Sequence, residues 1–459
     1  MFQLDRDRVL TPAIILKIVR NHRAKEAIRF EKLRTYYMAN NSAIKGRVYK
    51  DLTKPHNKIA NGYASYITDT LVGYFMGKPI TYNYPDDGVL EYLNQTFEYN
   101  DEADENMELA KSASVYGVAY EQLYMDEDGV LRFKTLPTME CIPVYDTTIE
   151  NNLLYFIRYY EDCDILTDEV TVRIDVIDSE RTVSYVADQL LSGLTVVDEV
   201  PHYFKMVPIA VFKNNEEEVG DFERVIDIID AYDKMQSDNL NDFEYFVDAY
   251  LALYGYNADG ESVAQMKRDR VLLMDEGTSA EFLTKTTSDT YIENMKNRLD
   301  NDIHKFSFCP NMSDEAFASN ASGIAIKFKT LGTENLTATK ERKFKRGLQQ
   351  RFELMSTVTA MLGTTFDWRE LEIIFTRNLP TNDNDVATMV NTLKDIVSTE
   401  TLLAQIPFVT DVQAELERLK KEKEEAKEEN PFFQSIQSYS EGVNSRNELE
   451  SDSDEPAEN

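Results

Sequence analysis

Histidine, cysteine and tryptophan are scarce in this sequence, and each scarcity excludes a class of protein. Four histidines, His22, His56, His202 and His304, stand far apart in 459 residues. A zinc site built from clustered ligands is therefore not expected. Three cysteines, Cys141, Cys163 and Cys309, have no paired spacing, which fits free thiols in a reducing compartment rather than a disulfide framework. No run of eighteen apolar residues occurs and no basic-then-apolar leader opens the chain. Neither a membrane span nor secretion through a signal peptide is expected. No Gly-x-Ser-x-Gly elbow and no His-Glu-x-x-His pair is present, so two common hydrolase signatures are missing. Positive charge is also short: 49 Lys and Arg face 82 Asp and Glu, a formal charge of −33. Such a chain repels bare nucleic acid, because holding phosphates needs Lys and Arg. Its self-repulsion favours solubility.

What remains is a long chain with 42% hydrophobic residues, enough for roughly two to four domains with a sizeable core. "GYFMGKPITY", residues 73 to 82, briefly resembles a phosphate-binding loop through Gly77 and Lys78. The spacing is wrong. Three residues separate Gly73 from Gly77, Pro79 follows Lys78, and the Ser or Thr that would hold magnesium is missing. The stretch also follows a helical pattern, with Ile59, Tyr63, Tyr66, Ile67, Thr70, Leu71 and Tyr74 recurring at three and four residues. Gly77 therefore reads as a helix stop enforced by Pro79, and "PITYNY" as a short strand. No ATP or other cofactor is expected.

The pattern along the chain predicts an α+β protein. Residues 12 to 39 read as one helix with a basic face (Lys17, Arg20, Arg23, Lys25, Arg29), followed by helices near 57 to 76, around "LEYLNQTFE", and in a stretch ending at Gly117. From there to about residue 214 the period falls to two, in "VAYEQLYMD", "VLRFKTL", "LLYFIRYYE", "VTVRIDVID", "RTVSYVAD" and "PIAVF", which predicts an antiparallel sheet. A long acidic helix is expected over 221 to 253, spanning roughly 50 Å at 1.5 Å per residue. A small β segment ("VLLMDEG", "AEFLTK") follows, then a second helix over 288 to 306, the loop "CPNMSDEAFASNASG", and a third long helix over 323 to 361. "DWRELEIIFTRNLP" gives one more strand, with Trp368 expected in the core. Helices over 383 to 397 and 410 to 429 follow. The Ser-, Glu- and Asp-rich stretch from 431 to 459 lacks an apolar period and is expected to be disordered.

Four stretches carry a resemblance. "NKIANGYASYITDTLVGYFMGKPITY", "DFERVIDIIDAYDKMQSDNLNDFEYFVDAYLALYG", "DEAFASNASGIAIKFKTLGTENLTATKERKFKRGLQQRFELM" and "NLPTNDNDVATMVNTLKDIVSTETLLAQIPFVTDVQAELERL" stand in this order between about residues 55 and 420. In that order they resemble the portal proteins of tailed double-stranded DNA phages of the siphovirus type. The resemblance implies a homo-oligomeric ring, usually of twelve subunits, at a unique capsid vertex of the virion, assembled in the host cytoplasm. DNA is packaged and ejected through its centre. Terminase, a head–tail adaptor, and major capsid and scaffolding proteins are the implied partners. It implies no enzymatic activity, since the motor is a separate terminase, and no membrane partner. It also implies regions: a wing (1–220 and 324–380), a stem (221–257 and 287–308), a clip (258–286), a tunnel loop (309–323) and a crown (381–430).

Three sets of residues follow as candidates. The tunnel loop would present Asn311, Met312, Ser313, Asp314, Glu315, Phe317, Asn320 and Ser322 to DNA, with Phe317 its one bulky apolar side chain besides Met312; packing of Phe317 on the helix beneath is the alternative. Acids of the first stem helix, Asp230, Asp233, Asp238 and Asp242, would line the tunnel or an interface, repelling phosphates so that DNA slides; a merely solvated face is the alternative. Lys327, Lys329, Lys340, Lys343, Lys345 and Arg346 stand out in an acidic chain, and pairing with a neighbouring subunit is favoured over DNA contact. Two rival functions stay open. One is an acidic metal-dependent nuclease or hydrolase, for which "EDCD" (161–164) and "DNLND" (238–242) crowd carboxylates. The other is a scaffolding or adaptor protein without a tunnel.

Overall fold

The structure is a computed structural model. It describes residues 2–49, 55–247, 250–254, 260–269, 277, 279–283, 289–312, 328–378, 383–406, 409 and 412–428. Helices and strands are both abundant, so the α+β expectation holds. The chain divides into two compact units, 1–378 and 379–459.

The basic helix expected over 12 to 39 is two helices, α1 (Pro12–Ala24) and α2 (Glu26–Tyr37), broken at Lys25, whose φ of −128° and ψ of −72° are not helical. The reason is that the two halves serve different cores. Ile15, Leu16, Ile18 and Val19 of α1 pack on a sheet. Phe30, Leu33 and Tyr36 of α2 pack with Phe222, Val225, Ile226 and Ile229. One straight rod could not bury both stripes.

After the short α3 (Ser42–Lys45), helix α4 (Tyr63–Met76) stops at Gly77, whose N–H bonds the Gly73 carbonyl. The helix stop read from the sequence is present, and strand β2 (Thr81–Asn83) follows. α5 (Asp87–Tyr99) is capped by the Asp86 carboxylate, which accepts from the Gly88 and Val89 amides. α6 (Glu102–Tyr116) ends at Gly117 with φ +89°.

The single antiparallel sheet expected up to residue 214 is two sheets. β1 (Phe2–Leu4), β5 (Cys141–Asp146), β6 (Leu153–Cys163), β7 (Val170–Ile177), β8 (Arg181–Ala187) and β9 (Thr195–Pro201) lie in that order, with β1 and β5 parallel. β3 (Val118–Met125) lies between β10 (Ile209–Lys213) and β4 (Leu131–Leu136) in the other. The first sheet buries one face under α1. The second lies on the helix Leu331–Leu362, with Phe133, Phe204 and Phe212 against Phe344, Leu348 and Phe352. Gly347 permits that approach: a Cβ there would sit 2.5 Å from the Phe212 ring. Strand alternation predicts half-buried strands but not how many sheets they make, because pairing is a long-range choice.

The acidic helix is shorter than expected. A 3₁₀ turn at Glu223–Val225 leads into α7 (Ile226–Val247), about 33 Å long at 1.5 Å per residue. Tyr250–Tyr254 is a strand paired antiparallel with Ser279–Leu283, because "YLALY" suits a strand better than a helix. A helix, α8 (Gly260–Asp269), lies between them. "AEFLTK" is therefore a strand in part, while most of "VLLMDEG" lies outside the described residues. α9 (Asp289–Ser307) packs on α7. The long helix Leu331–Leu362 ends at Gly363, φ +100°. The strand expected around 367–380 is only Glu372–Ile374, paired with β2. Trp368 lies in the turn before it, half-buried against the core.

The second unit contains helices Asp383–Leu393, Thr399–Leu403 and Val412–Glu428. Ser398 caps the middle one by accepting from the Thr401 amide. Residues 429–459, expected to be disordered, lie outside the described residues. Among the described residues no helix is long and apolar enough to cross a membrane.

Candidate functional site

The antiparallel helices α7 and α9 and the chain that leaves α9 make the part of the molecule least like an ordinary enzyme core. α7 turns Ile226, Ile229, Asp233 and Ser237 inward, a spacing of three and four residues that puts them on one face. Two of these four are polar, and they hold the chain before α4. Asp233 accepts from the Asn61 amide (3.0 Å), the Asn61 side chain (2.7 Å) and the Asn41 side chain. Ser237 Oγ accepts from the Ile59 amide at 2.9 Å. One turn on, Asn241 Oδ1 accepts from the Asn57 amide at 2.7 Å. "NKIAN" is thus fastened to α7 in register. Burial pushes the Asp233 carboxyl above the ordinary aspartate value, while the bonds from Asn61 and Asn41 oppose the rise.

This geometry reassigns most of the acidic candidates. Asp233 is 0% exposed, so it faces neither a tunnel nor a neighbouring chain. Asp230 is half-buried and accepts from Tyr36 at 2.6 Å. Asp238 pairs with Arg47 at 2.9 Å. Asp242 is exposed, on a shallow groove between α7 and α9 that Met235 and Ile292 also line. Burial on the α7 stripe, which the sequence pattern assigned to apolar side chains alone, decides this.

The second feature is the root of the chain beyond α9. Phe308 takes φ +58° and turns the backbone out of the helix. The Tyr66 hydroxyl on α4 donates to the Pro310 carbonyl (3.0 Å) and accepts from the Met312 amide (2.9 Å). Asp300 on α9 accepts from the Tyr63 hydroxyl (2.6 Å) and the Asn311 side chain (3.1 Å). His304 Nδ1 lies 3.1 Å from the Cys309 carbonyl, and its Nε2 lies 3.6 Å from Asp300. Thr333 at the start of the long helix donates to the Phe308 carbonyl at 2.6 Å. Burial pushes the Cys309 thiol up to about 12, so it is an inert core group. Of the candidate loop, Asn311 and Met312 are held here. Ser313, Asp314, Glu315, Phe317, Asn320 and Ser322 lie outside the described residues.

Tyr66→Phe would remove both bonds of the hydroxyl and leave the ring packing. The Met312 amide should then exchange with solvent about fivefold faster, the equivalent of about 1 kcal/mol for one lost bond. Peptide-level hydrogen exchange reads this directly. Unchanged exchange would mean that Asp300 alone holds the root.

The basic candidates separate as well. Lys327 lies outside the described residues, Lys329 and Arg346 are exposed, and Lys345 is half-buried. Lys340 is 3% exposed and bonds Asp221, which also accepts from Ser114 and Asn214. Lys343 bonds Glu216 of the same chain. The expected pairing with a neighbour therefore gives way to internal pairing at Lys340 and Lys343. Arg351, a member of the same basic run in the sequence, lies deeper in this helix. Arg351 is 0% exposed and bonds Glu121 through two nitrogens, each at 2.7 Å, with Asn106 at 2.8 Å and Glu102 at 3.3 Å. Its guanidinium lies over the Phe133 ring at 4.6 Å.

The carboxylate clusters that kept a hydrolase open are committed elsewhere. Asp162 bonds Arg173 at 2.6 Å, and Asp164 accepts from the Leu166 amide at 2.7 Å. Among the described residues no group of three or more His, Cys, Asp and Glu could hold a metal ion. The arrangement is mechanical: two packed helices, a segment fastened at its root, and charge buried in internal pairs.

Residues 16–429 match the family described as phage portal protein, SPP1 Gp6-like. The portal protein of Bacillus phage SPP1 is 26% identical over 434 residues, covering 90% of this chain and 84% of that protein. The portal protein of Clostridium phage phiCD119 is 23% identical over 414 residues, covering 84% and 90%.

Proposed function

The chain belongs to the phage portal protein family, and from that premise we propose that it is the subunit of a closed ring at one capsid vertex, through which double-stranded DNA is packaged and ejected. On this reading α7 and α9 form the stem, the segment 258–286 is the clip that terminase and later a head–tail adaptor engage, and residues 309–323 are the loop that meets DNA. Residues before α7 and the long helix form the wing, and 381–430 the crown. Assembly takes place in the host cytoplasm and the ring ends in the virion. The observation that carries the reading is the family match across residues 16–429.

The physics fits. A passage for DNA must not grip phosphates, since each Lys contact adds a counterion-release affinity at every step. The α7–α9 surface offers Asp227, Asp242 and Glu244 exposed against few cations. A ring also accounts for Phe243 and Tyr291, large apolar side chains on α7 and α9 that one subunit leaves 67% and 65% exposed. Light scattering on the purified chain should give a mass many times 52.9 kDa. Negative-stain images should then contain rings with a central hole. A monodisperse monomer at all concentrations and salts would overturn the reading.

A further inference from the structure

The N-terminal sixty residues do not share the charge of the chain. They carry 14 Lys and Arg against 5 Asp and Glu, a net +9, so the remainder carries −42. The wing helices α1 and α2 put part of this charge on the surface. Lys17, Lys25, Lys32 and Arg34 are exposed. Among the described residues Lys25 and Lys32 have no ion-pair partner. They flank a groove of about 440 Å³ between α2 and the first turn of α7, whose floor is Leu33 and Ile226. Ile28 stands at its rim, 64% exposed. Arg29 is fixed along the groove by Glu223, with bonds of 2.7 and 2.6 Å. The site thus has an apolar floor, an exposed aliphatic anchor, and two ammonium groups without an ion-pair partner, Lys25 at the break before α2 and Lys32 on α2 beside the Tyr36 ring.

We propose that this groove is the face by which one copy of the chain grips the acidic surface of the next. The inference rests on the ring reading and names the surface that makes it possible. Two chains each carrying −33 repel, and like charges brought together at an interface cost several kcal/mol. Copies can close a ring only through a contact where the local signs differ. A cyclic ring needs a heterologous contact, in which two different patches of the same chain meet. Lys25, Arg29 and Lys32 against Glu223 and Asp227 leave the α2 groove net positive on a negative chain. Its apolar floor and charged rim are the composition of a docking core and its surround. DNA, the other polyanion at hand, lacks the aliphatic surface that Ile28 would cover.

The test is the assembly state of the full chain, measured by light scattering over a concentration series. Lys25→Glu with Lys32→Glu should raise the concentration at half-assembly at least tenfold, and raised salt should restore part of the loss. Lys25→Ala with Lys32→Ala should give a smaller rise, with unchanged circular dichroism in both. Lys420→Glu with Lys423→Glu, the same charge change on the exposed helix Val412–Glu428, should leave assembly close to wild type. Equal weakening by both Glu pairs would overturn the inference in favour of net charge alone. Normal assembly of the Lys25/Lys32 variants, with or without a loss of binding to a DNA duplex, would overturn it too. A wild-type chain that stays monomeric would instead sink the ring reading itself.

Discussion

Arg351→Met should be the most damaging single substitution in the wing core. It keeps the apolar stem but removes the guanidinium, so it strands the buried Glu121 carboxylate and takes one of the three donors that Glu102 bonds. Burial already pushes the Glu121 carboxyl up, and Arg351 is what opposes that rise. For Arg351 itself burial works against the charge, but Glu121 and Glu102 outweigh it and hold the guanidinium above its ordinary value. Removing one partner of a buried pair costs about 3–5 kcal/mol, a large share of the roughly 5–15 kcal/mol that typically holds a domain. Trp368, the sole tryptophan, packs against the same core and reports unfolding by fluorescence. Urea titration should show the transition moved to much lower denaturant, or no folded protein at all. Adding Glu121→Leu should recover part of the loss, because a partner-free carboxylate is the main penalty. A double variant no better than Arg351→Met would mean that the ring stacking over Phe133 matters more than the charge.

Gly117→Ala should be nearly as severe, for a steric reason. Gly117 closes α6 at φ +89°, a conformation that costs a side-chain-bearing residue about 1–3 kcal/mol. The added Cβ would lie 2.0 Å from the Glu218 carbonyl oxygen and 2.7 Å from the Val219 nitrogen. Neither is a flexible side chain, so the 214–221 turn must move. That turn carries Asp221, which gathers Ser114, Asn214 and Lys340 just before α7 begins. The variant should therefore loosen the start of α7 as well as lose stability. Soluble yield and the Trp368 unfolding transition check it. Gly73→Ala is the control: it lies within α4 with nothing inside 4 Å of the new Cβ, and should be neutral or stabilising by about 0.5–1 kcal/mol. A Gly117→Ala protein as stable as wild type would mean that the turn is slack.

Several of these features were legible beforehand. The stop at Gly77, the end of α6 at Gly117 and six of the eight strands from 118 to 213 follow from Gly and Pro punctuation and from period-two alternation, which are local, while β5 and β9 were not read. The order of the α7, α9 and long-helix segments was legible, and α9 to within a residue at each end, while α7 begins and ends about five residues inside the expected bounds. The candidate residues fared differently. Asp230, Asp233 and Asp238 were expected on a tunnel wall or an interface, and Lys340 and Lys343 in contact with a neighbouring subunit. Each has a partner far along the chain: Tyr36, Asn61, Arg47, Asp221 and Glu216. Tyr63 and Tyr66 looked like members of an apolar stripe, and their hydroxyls turned out to fasten the root at 310–312.

The sequence by itself determined the α+β class, the acidic charge and the order of most helices and strands. Those properties are carried by composition and short-range periodicity, so each stretch of chain states its own part. Only the tertiary structure decided that residues 12–37 make two helices for two cores, that the strands divide into two sheets, and which charges are buried. A carboxylate's fate depends on whether a donor hundreds of residues away is folded onto it. The low dielectric of the interior makes that pairing compulsory once the group is buried, and no local pattern records it.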